Sequence, residues 1–592
     1  MPPQLTDRKS LARATAQGTS IPTPPKVPQR IPRQPSFANR FYLTGALHRP
    51  ADLMFMIDAL ISIVGTVASL LFVEIPLLIW TGFKVNSKNH PVSWGPIYTF
   101  CMALSRASSS SPRNAAQLRA VSSIISWFVP IRMIHLSNYS VKANVHFQVH
   151  LETLLQPERR SLQETRSKLG IKDMGSNPLK PSPEYLSSFL PSGNRLANLP
   201  EESGNLESDG TYTLKGEWIE ALDDPKDQSS GQKKKSNTVL LYFHGGGHVF
   251  CSSAFHRQMV TRLTLEFGPG ARAFVPDYRL SPESPFPASI HDCYASYLYL
   301  TAPSHGALRL GSHDGHPSEV IDPKNIVLAG DSAGAGLAIA LQLYLRDYVQ
   351  PSVEQKLLLP PVTILISAWT DISTSMPSAT GLHSYCYTPS PMGVNPFLDE
   401  ATFYAFPKFN FARTYLCGDS SLAPNERVEG GKHLEWEWYR HLAQHPLVSP
   451  VYTANLSGLE SSTLLQTGTF DRLADDTRLY AYKLGEANTN QRVRLELYED
   501  MVHVHQFFEF LPMADRALRS IVDFADQARE ETKQPLQRKN GLGSYSSRRK
   551  RETEWVVVAM DGSETEGHHD HGTPLSELDT YWRPSGASVQ SY

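Results

Sequence analysis

Apolar and polar positions divide the chain into a patterned middle and two polar ends. Residues 1 to about 40 are rich in Pro, Arg, Lys, Ser and Thr, a composition that predicts disorder. Leu53 to Trp80 is mostly apolar, and Ala59 to Val73 carries no charge. The stretch from Ala59 to Thr81 has the length of a single membrane span of about 20 residues, with Glu74 set towards one end. Val121 to Ile134 is apolar but too short to span, and Pro130 and Arg132 interrupt it. It reads as a helix that caps the site, lies on a bilayer surface or packs within the cap, in a largely helical stretch over 90–205. Beyond it, strands are expected at Thr238–Phe243, Ile326–Ala329, Val362–Asp371 and Thr463–Gly468. Val493–Tyr498 alternates with period two, as a half-buried strand does. Helices are expected from Ala333 to Leu345 and from Asp476 to Leu484. From Thr532 the chain turns polar and predicts disorder, with Trp555-Val556-Val557-Val558 an isolated apolar island in a tail over 531–592.

Two boundaries between these elements carry chemistry. Gly330-Asp331-Ser332-Ala333-Gly334 joins a strand to a helix and fits the G-x-S-x-G nucleophile elbow. A chain that turns so sharply strains one residue and brings two backbones close, so small residues flank the serine. The hydroxyl then stands over a helix N-terminus, which favours developing negative charge. Upstream, His244-Gly245-Gly246-Gly247 ends a strand in a loop without side chains. Its N–H groups can face an oxyanion, and the predicted hole is Gly245, Gly246 and the N–H of Ala333. Asp331 is expected to bond locally and shape the elbow.

These motifs, with Asp277-Tyr278-Arg279-Leu280-Ser281-Pro282-Glu283-Ser284-Pro285-Phe286-Pro287-Ala288 between them, resemble the hormone-sensitive-lipase-like branch of the α/β-hydrolases. That branch includes arylacetamide deacetylases and fungal steryl acetyl hydrolases. The resemblance runs from about Tyr212 to Ala525. It implies an α/β fold: a mostly parallel, doubly wound sheet over 206–530 with a helical cap. It also implies a serine esterase that needs no cofactor and no metal. One departure is visible: the family usually has a glycine soon after the glycine run, and Val249-Phe250-Cys251-Ser252-Ser253 stands there instead. The family's G-x-x-D-x-L places the triad acid at Asp471. Asp475 and Asp476 are rivals that read as first-turn residues of the next helix. The family's M-x-H falls on Met501-Val502-His503, with His505 an alternative two residues on. Ser332, Asp471 and His503 would be nucleophile, orienting acid and general base. Glu283 stands where the family has a glutamate that organises the site; its plainer role is a polar turn residue. An aromatic insertion over 372–441 is expected to build the substrate pocket. The implied substrate is a small apolar ester, such as a short acyl group on a sterol.

Composition narrows the partners. The 592 residues hold 56 Lys and Arg against 58 Asp and Glu, a net charge of −2 that gives no case for nucleic acid. Five cysteines without CxxC spacing make no disulfide scaffold, although one or two bridges are open to them in an oxidising compartment. His568-His569-Asp570-His571 lacks the ligand spacing of a closed zinc site, and Arg548-Arg549-Lys550-Arg551 reads as a solvated charge run. Arg40 and Arg49 balance Lys84 and Lys88 around the apolar run, while Lys26, Arg30 and Arg33 tilt the wider count. The expectation is a single-pass membrane protein of the endoplasmic reticulum with a lumenal catalytic domain. Asn138-Tyr139-Ser140 and Asn455-Leu456-Ser457 would then be glycosylation triplets. A rival class is a non-catalytic protein that holds a small ligand in a hydrolase-like pocket after losing the histidine; His503 stands against it.

Overall fold

The computed structural model describes residues 50–75, 96–110, 112–150, 211–223, 235–301, 320–350, 359–380, 386–388, 392–396, 399–405, 409–418, 433–533, 552–567 and 573–581. Three helices come first: α1 (Pro50–Ser69), α2 (Pro96–Ser110) and α3 (Ala115–Arg132). The strands are β1 (Tyr139–His150), β2 (Thr211–Ala221), β3 (Val239–Phe243), β4 (Arg272–Asp277), β5 (Ile326–Asp331), β6 (Val362–Ile366), β7 (Ser462–Gly468), β8 (Val493–Tyr498), β9 (Glu554–Val558) and β10 (Glu564–Glu566). Between and after them run α4 (Ser253–Glu266), α5 (Ala288–Thr301), α6 (Ala333–Tyr344), α7 (Pro377–Thr380), α8 (Glu400–Ala405), α9 (Phe411–Cys417), α10 (Leu434–Leu442), α11 (Ala474–Ala487), α12 (Pro512–Lys533) and α13 (Leu575–Tyr581).

One sheet takes the order β1-β2-β4-β3-β5-β6-β7-β8-β9-β10. Strands β3 to β9 run parallel, while β1, β2 and β10 pair antiparallel to their neighbours. Parallel strands need both faces covered, which explains their continuous apolar runs. Alternate residues serve the two faces. Leu240 and Tyr242 pack with Met259, Val260 and Leu263 of α4 and Leu518 and Ile521 of α12. Leu241 and Phe243 face the layer of α5, α6 and α11 with Ile290, Leu337 and Tyr480. The strand order reverses beside β3 and β5, so the site is expected at their carboxyl ends.

The structure departs from four expectations. The region 90–205 is not all helix: β1 alternates, burying Val145 and Phe147 against β2. The tail expected over 531–592 holds ordered elements. Trp555–Val558 is the core of β9, which extends the sheet alongside β8, and α13 packs on α11. A β-branched run beside an open edge gains a ladder and burial that a solvated tail would forgo. Finally, no helix among the described residues is long and apolar enough to cross a membrane. Over the described part of the span expected at 53–81, α1 to Ser69 passes into a π-turn over Leu70–Glu74. α1 packs against α2 and α3, with its Leu60, Val64 and Val67 exposed, as is Phe72 of the π-turn. Residues 76–95 lie outside the described residues, as do 1–40, Arg548–Arg551 and His568–His571. None of the five cysteines is in a disulfide, so the bridges that the sequence left open are not formed in this structure.

Candidate active site

The elbow forms because β5 runs straight into α6. Ser332 sits between them at φ 54 and ψ −122, strained backbone for a residue with a side chain. Its small neighbours are needed sterically: a Cβ on Gly334 would lie 2.0 Å from the Phe243 carbonyl oxygen. Ser332 N–H donates to the Ile366 carbonyl at 2.8 Å, and the Trp369 N–H donates to the Ser332 carbonyl at 3.1 Å. The nucleophile is thereby tied to the end of β6.

The acid and the histidine lie in the turns after β7 and β8. Asp471, fully buried, has Oδ1 2.9 Å from His503 Nδ1. Oδ1 also accepts the Leu473 N–H, and Oδ2 accepts the Thr467 hydroxyl. Burial alone raises the Asp471 carboxyl; the adjoining His503 and hydrogen bonds from Ser367 and Leu473 outweigh it, and its pKa lies below the ordinary value. The histidine turn is tied to β6 as well, since the Val504 N–H donates to Ser367 Oγ at 3.0 Å. Ile366 holds Ser332 and Ser367 holds the residue after His503, so adjacent residues at one strand end anchor the candidate nucleophile and the candidate base.

The rivals are otherwise engaged. Asp475 bonds Arg478 and the Ser378 N–H, while Asp476 accepts the Asp371 N–H. His505 lies fully buried against Tyr498, and neither ring nitrogen has a hydrogen-bond partner. Burial pushes its pKa down to about 3, so it stays neutral and touches no carboxylate.

The glycine loop differs from expectation at one atom. The Gly245 N–H donates to Asp331 Oδ1 at 3.0 Å, so it is not free to receive an oxyanion. Gly245 therefore leaves the predicted hole. The N–H groups of Gly246, at φ 111, and of Gly247 make no such bond among the described residues. The first histidine of the motif is structural: its carbonyl accepts the Tyr278 hydroxyl at 2.6 Å, and the two rings stack at 4.3 Å. Burial pushes the His244 pKa down to about 3.

Sequence reading missed Arg119 altogether. This α3 side chain donates Nε to the Val249 carbonyl, Nη2 to the Ser281 carbonyl, and both Nη1 and Nη2 to Glu283. Glu283 thus acts through Arg119, joining the cap to the glycine loop. No residue pattern could have flagged an arginine 164 positions away from its partner. The insertion over 372–441 closes on the same loop: Tyr415 stacks on His248 at 3.8 Å, and Phe411 faces Phe250. Tyr387 meets the His503 ring edge-on at 6.0 Å. Among the described residues no group of three or more His, Cys, Asp or Glu could hold a metal ion.

A strained serine at a strand–helix turn, a buried carboxylate–imidazole pair and a glycine loop together define a serine hydrolase site on an α/β-hydrolase sheet. The comparisons agree. A family model for the alpha/beta hydrolase fold matches residues 240–393 and 394–507. An acetyl-hydrolase of Streptomyces hygroscopicus is 30% identical over 286 residues, 48% of this chain and 74% of its own. An esterase of Acinetobacter venetianus is 27% identical over 288 residues, again 48% and 74%. Hormone-sensitive lipase of Homo sapiens is 35% identical over 117 residues, 20% of this chain and 10% of its own. The chain belongs to the α/β-hydrolases, in their hormone-sensitive-lipase-like branch, and it is a carboxylic ester hydrolase.

Proposed function

We propose that the protein removes short acyl groups, acetate foremost, from bulky apolar alcohols such as sterols, through an acyl-enzyme. Ser332 Oγ attacks the ester carbonyl while His503 takes its proton. Asp471 holds the ring in the required tautomer and stabilises the imidazolium. Ala333, Gly246 and Gly247 N–H groups receive the oxyanion, each such donor being worth roughly 3–4 kcal/mol of barrier. His503 returns the proton to the leaving alcohol, and water attacks the acyl-enzyme by the same route in reverse. The observation that carries this reading is the buried Asp471–His503 bond on a turn tied to the strand end that also holds Ser332. The aromatic wall of Phe250, Phe411, Tyr415 and Trp369 around the glycine loop supports an apolar substrate. The name of the Streptomyces relative supports acetate as the acyl group.

A fluorophosphonate probe, followed by turnover of steryl acetate against longer steryl esters, tests it. Labelling lost in Ser332→Ala and His503→Ala, with acetate preferred, is the expected result. A folded wild-type chain that neither labels nor hydrolyses any ester would overturn the catalytic reading. Preference for long acyl chains would overturn the substrate reading alone.

For location, we infer that the exposed face of α1 and the π-turn after it rests sideways on a lipid surface rather than crossing it, which the exposed Leu60, Val64 and Val67 of α1 and Phe72 of the turn support. Flotation of the full chain with liposomes, lost on replacing Leu60, Val64 and Phe72 by Ser, is expected; failure of the wild type to float excludes it.

A further inference from the structure

A second aspartate–histidine pair lies under the glycine loop, and the mechanism above does not use it. Asp331 immediately precedes the nucleophile and is 2% exposed. Its Oδ1 accepts the Tyr242 hydroxyl at 2.7 Å and the Gly245 N–H at 3.0 Å. His256 of α4 places Nε2 3.1 Å from Oδ1 and 3.3 Å from Oδ2. The carboxylate sits so close to the loop that a Cβ on Gly245 would lie 2.3 Å from Oδ2. His256 is itself held, with Nδ1 3.3 Å from the Ser252 carbonyl and its ring edge-on to Phe507 at 5.0 Å. Phe507 belongs to the turn that follows His503.

Burying a carboxylate is costly unless partners surround it, and an apolar residue would fill the space without that cost. The charge here does something packing does not: it fixes a peptide N–H. With Gly245 held on Asp331, only the torsions of Gly245 and Gly246 remain to aim the next two N–H groups. We propose that Asp331, held by Tyr242 and His256, is a positioning residue that locks the glycine loop in its oxyanion-binding form. This rests on the catalytic reading above. Asp331 touches no reacting atom; it acts through Gly245.

The test uses the full chain, p-nitrophenyl acetate and a trifluoromethyl ketone as transition-state analogue. Asp331→Ala is expected to lower kcat about 100-fold, the loss typical of one disabled oxyanion donor, with KM changed less than about threefold. Affinity for the analogue should fall in parallel with kcat. Asp331→Asn keeps an acceptor for both Tyr242 and Gly245 and should restore kcat to within about tenfold of wild type. Thermal unfolding checks that the variants fold. If Asp331→Ala does not fold, Tyr242→Phe and Asp331→Asn carry the test by the same match between kcat and analogue affinity. The proposal is overturned if a folded Asp331→Ala keeps its kcat, if kcat falls without loss of analogue affinity, or if Asn is no better than Ala. A wild type inactive on every ester would instead sink the esterase reading, so the two failures are told apart.

Discussion

Two buried Asp–His pairs lie in this fold, Asp471–His503 and Asp331–His256, and what the histidine's second nitrogen meets separates a candidate base from a strut. Asp471 and His503 meet at one nitrogen, Nδ1, and no described residue bonds the other. Asp331 and His256 meet at Nε2, while the second nitrogen of His256 faces the Ser252 carbonyl. The second nitrogen of His503 is left for the proton of a reacting hydroxyl, whereas both nitrogens of His256 are taken by groups that do not react. Both aspartates lie below the ordinary carboxylate range. In each, burial pushes the pKa up and the neighbouring histidine with further hydrogen bonds overcomes it.

The sharpest way to break this contrast is to delete each histidine. His503→Ala is expected to lower kcat by about 10⁵–10⁶, as removal of a triad base does, whereas His256→Ala should cost no more than about 100-fold, the scale of one oxyanion donor. Equal losses in steady-state ester hydrolysis would erase the distinction. Next in size, Asp471→Asn should lower kcat by about 10⁴ through the wrong tautomer, with the fold retained; the same assay with a circular dichroism check reads it. A third test uses acid. A carboxylate whose folded pKa is depressed adds stability that is present above its unfolded pKa of about 3.9 and lost as pH falls through the folded value. Thermal stability should therefore drop below about pH 4, less steeply in Asp471→Asn and Asp331→Asn than in wild type. Identical slopes in all three would count against the depressed pKa of either carboxylate.

The smallest expected effect concerns what props each pair. On the His503 side, Val558 of β9 packs with Tyr498, Met501 and Val502, and the Glu499 N–H donates to its carbonyl. On the His256 side, α4 packs on β2 and β4, and Arg257 pairs with Glu217 of β2. Val558→Ala should cost roughly 1–2 kcal/mol and a few degrees of melting temperature, with a modest fall in kcat. An unchanged melting temperature would show that the C-terminal strand does not support the histidine turn.

Much of the site was legible along the chain because its parts are local. An elbow needs small residues beside its serine, and a glycine loop needs glycines, so Ser332 and the loop can be read from a few adjacent letters. Asp471 and His503 follow as turn residues after readable strands. The oxyanion donors were only partly legible: which glycine N–H is free depends on Asp331, 86 residues later. Arg119 and His256 carried no signal, since their roles exist only where α3 and α4 meet the loop. β1 and β9 were missed for a related reason. Each is a sequence of modest pattern that becomes a strand when an edge is there to pair with.

By itself, then, the order of residues determined the sheet's central strands, the candidates for nucleophile, acid and base, and the apolar character of the run from Ala59 to Val73. Short-range sterics and periodicity settle those. Tertiary structure alone decided which of two Asp–His pairs has a nitrogen to spare, which glycine amide is already taken, and that the run ends in a helix and π-turn packed on two others. Those outcomes depend on which distant groups come within about 3 Å, the range at which a hydrogen bond forms and a buried charge is stabilised.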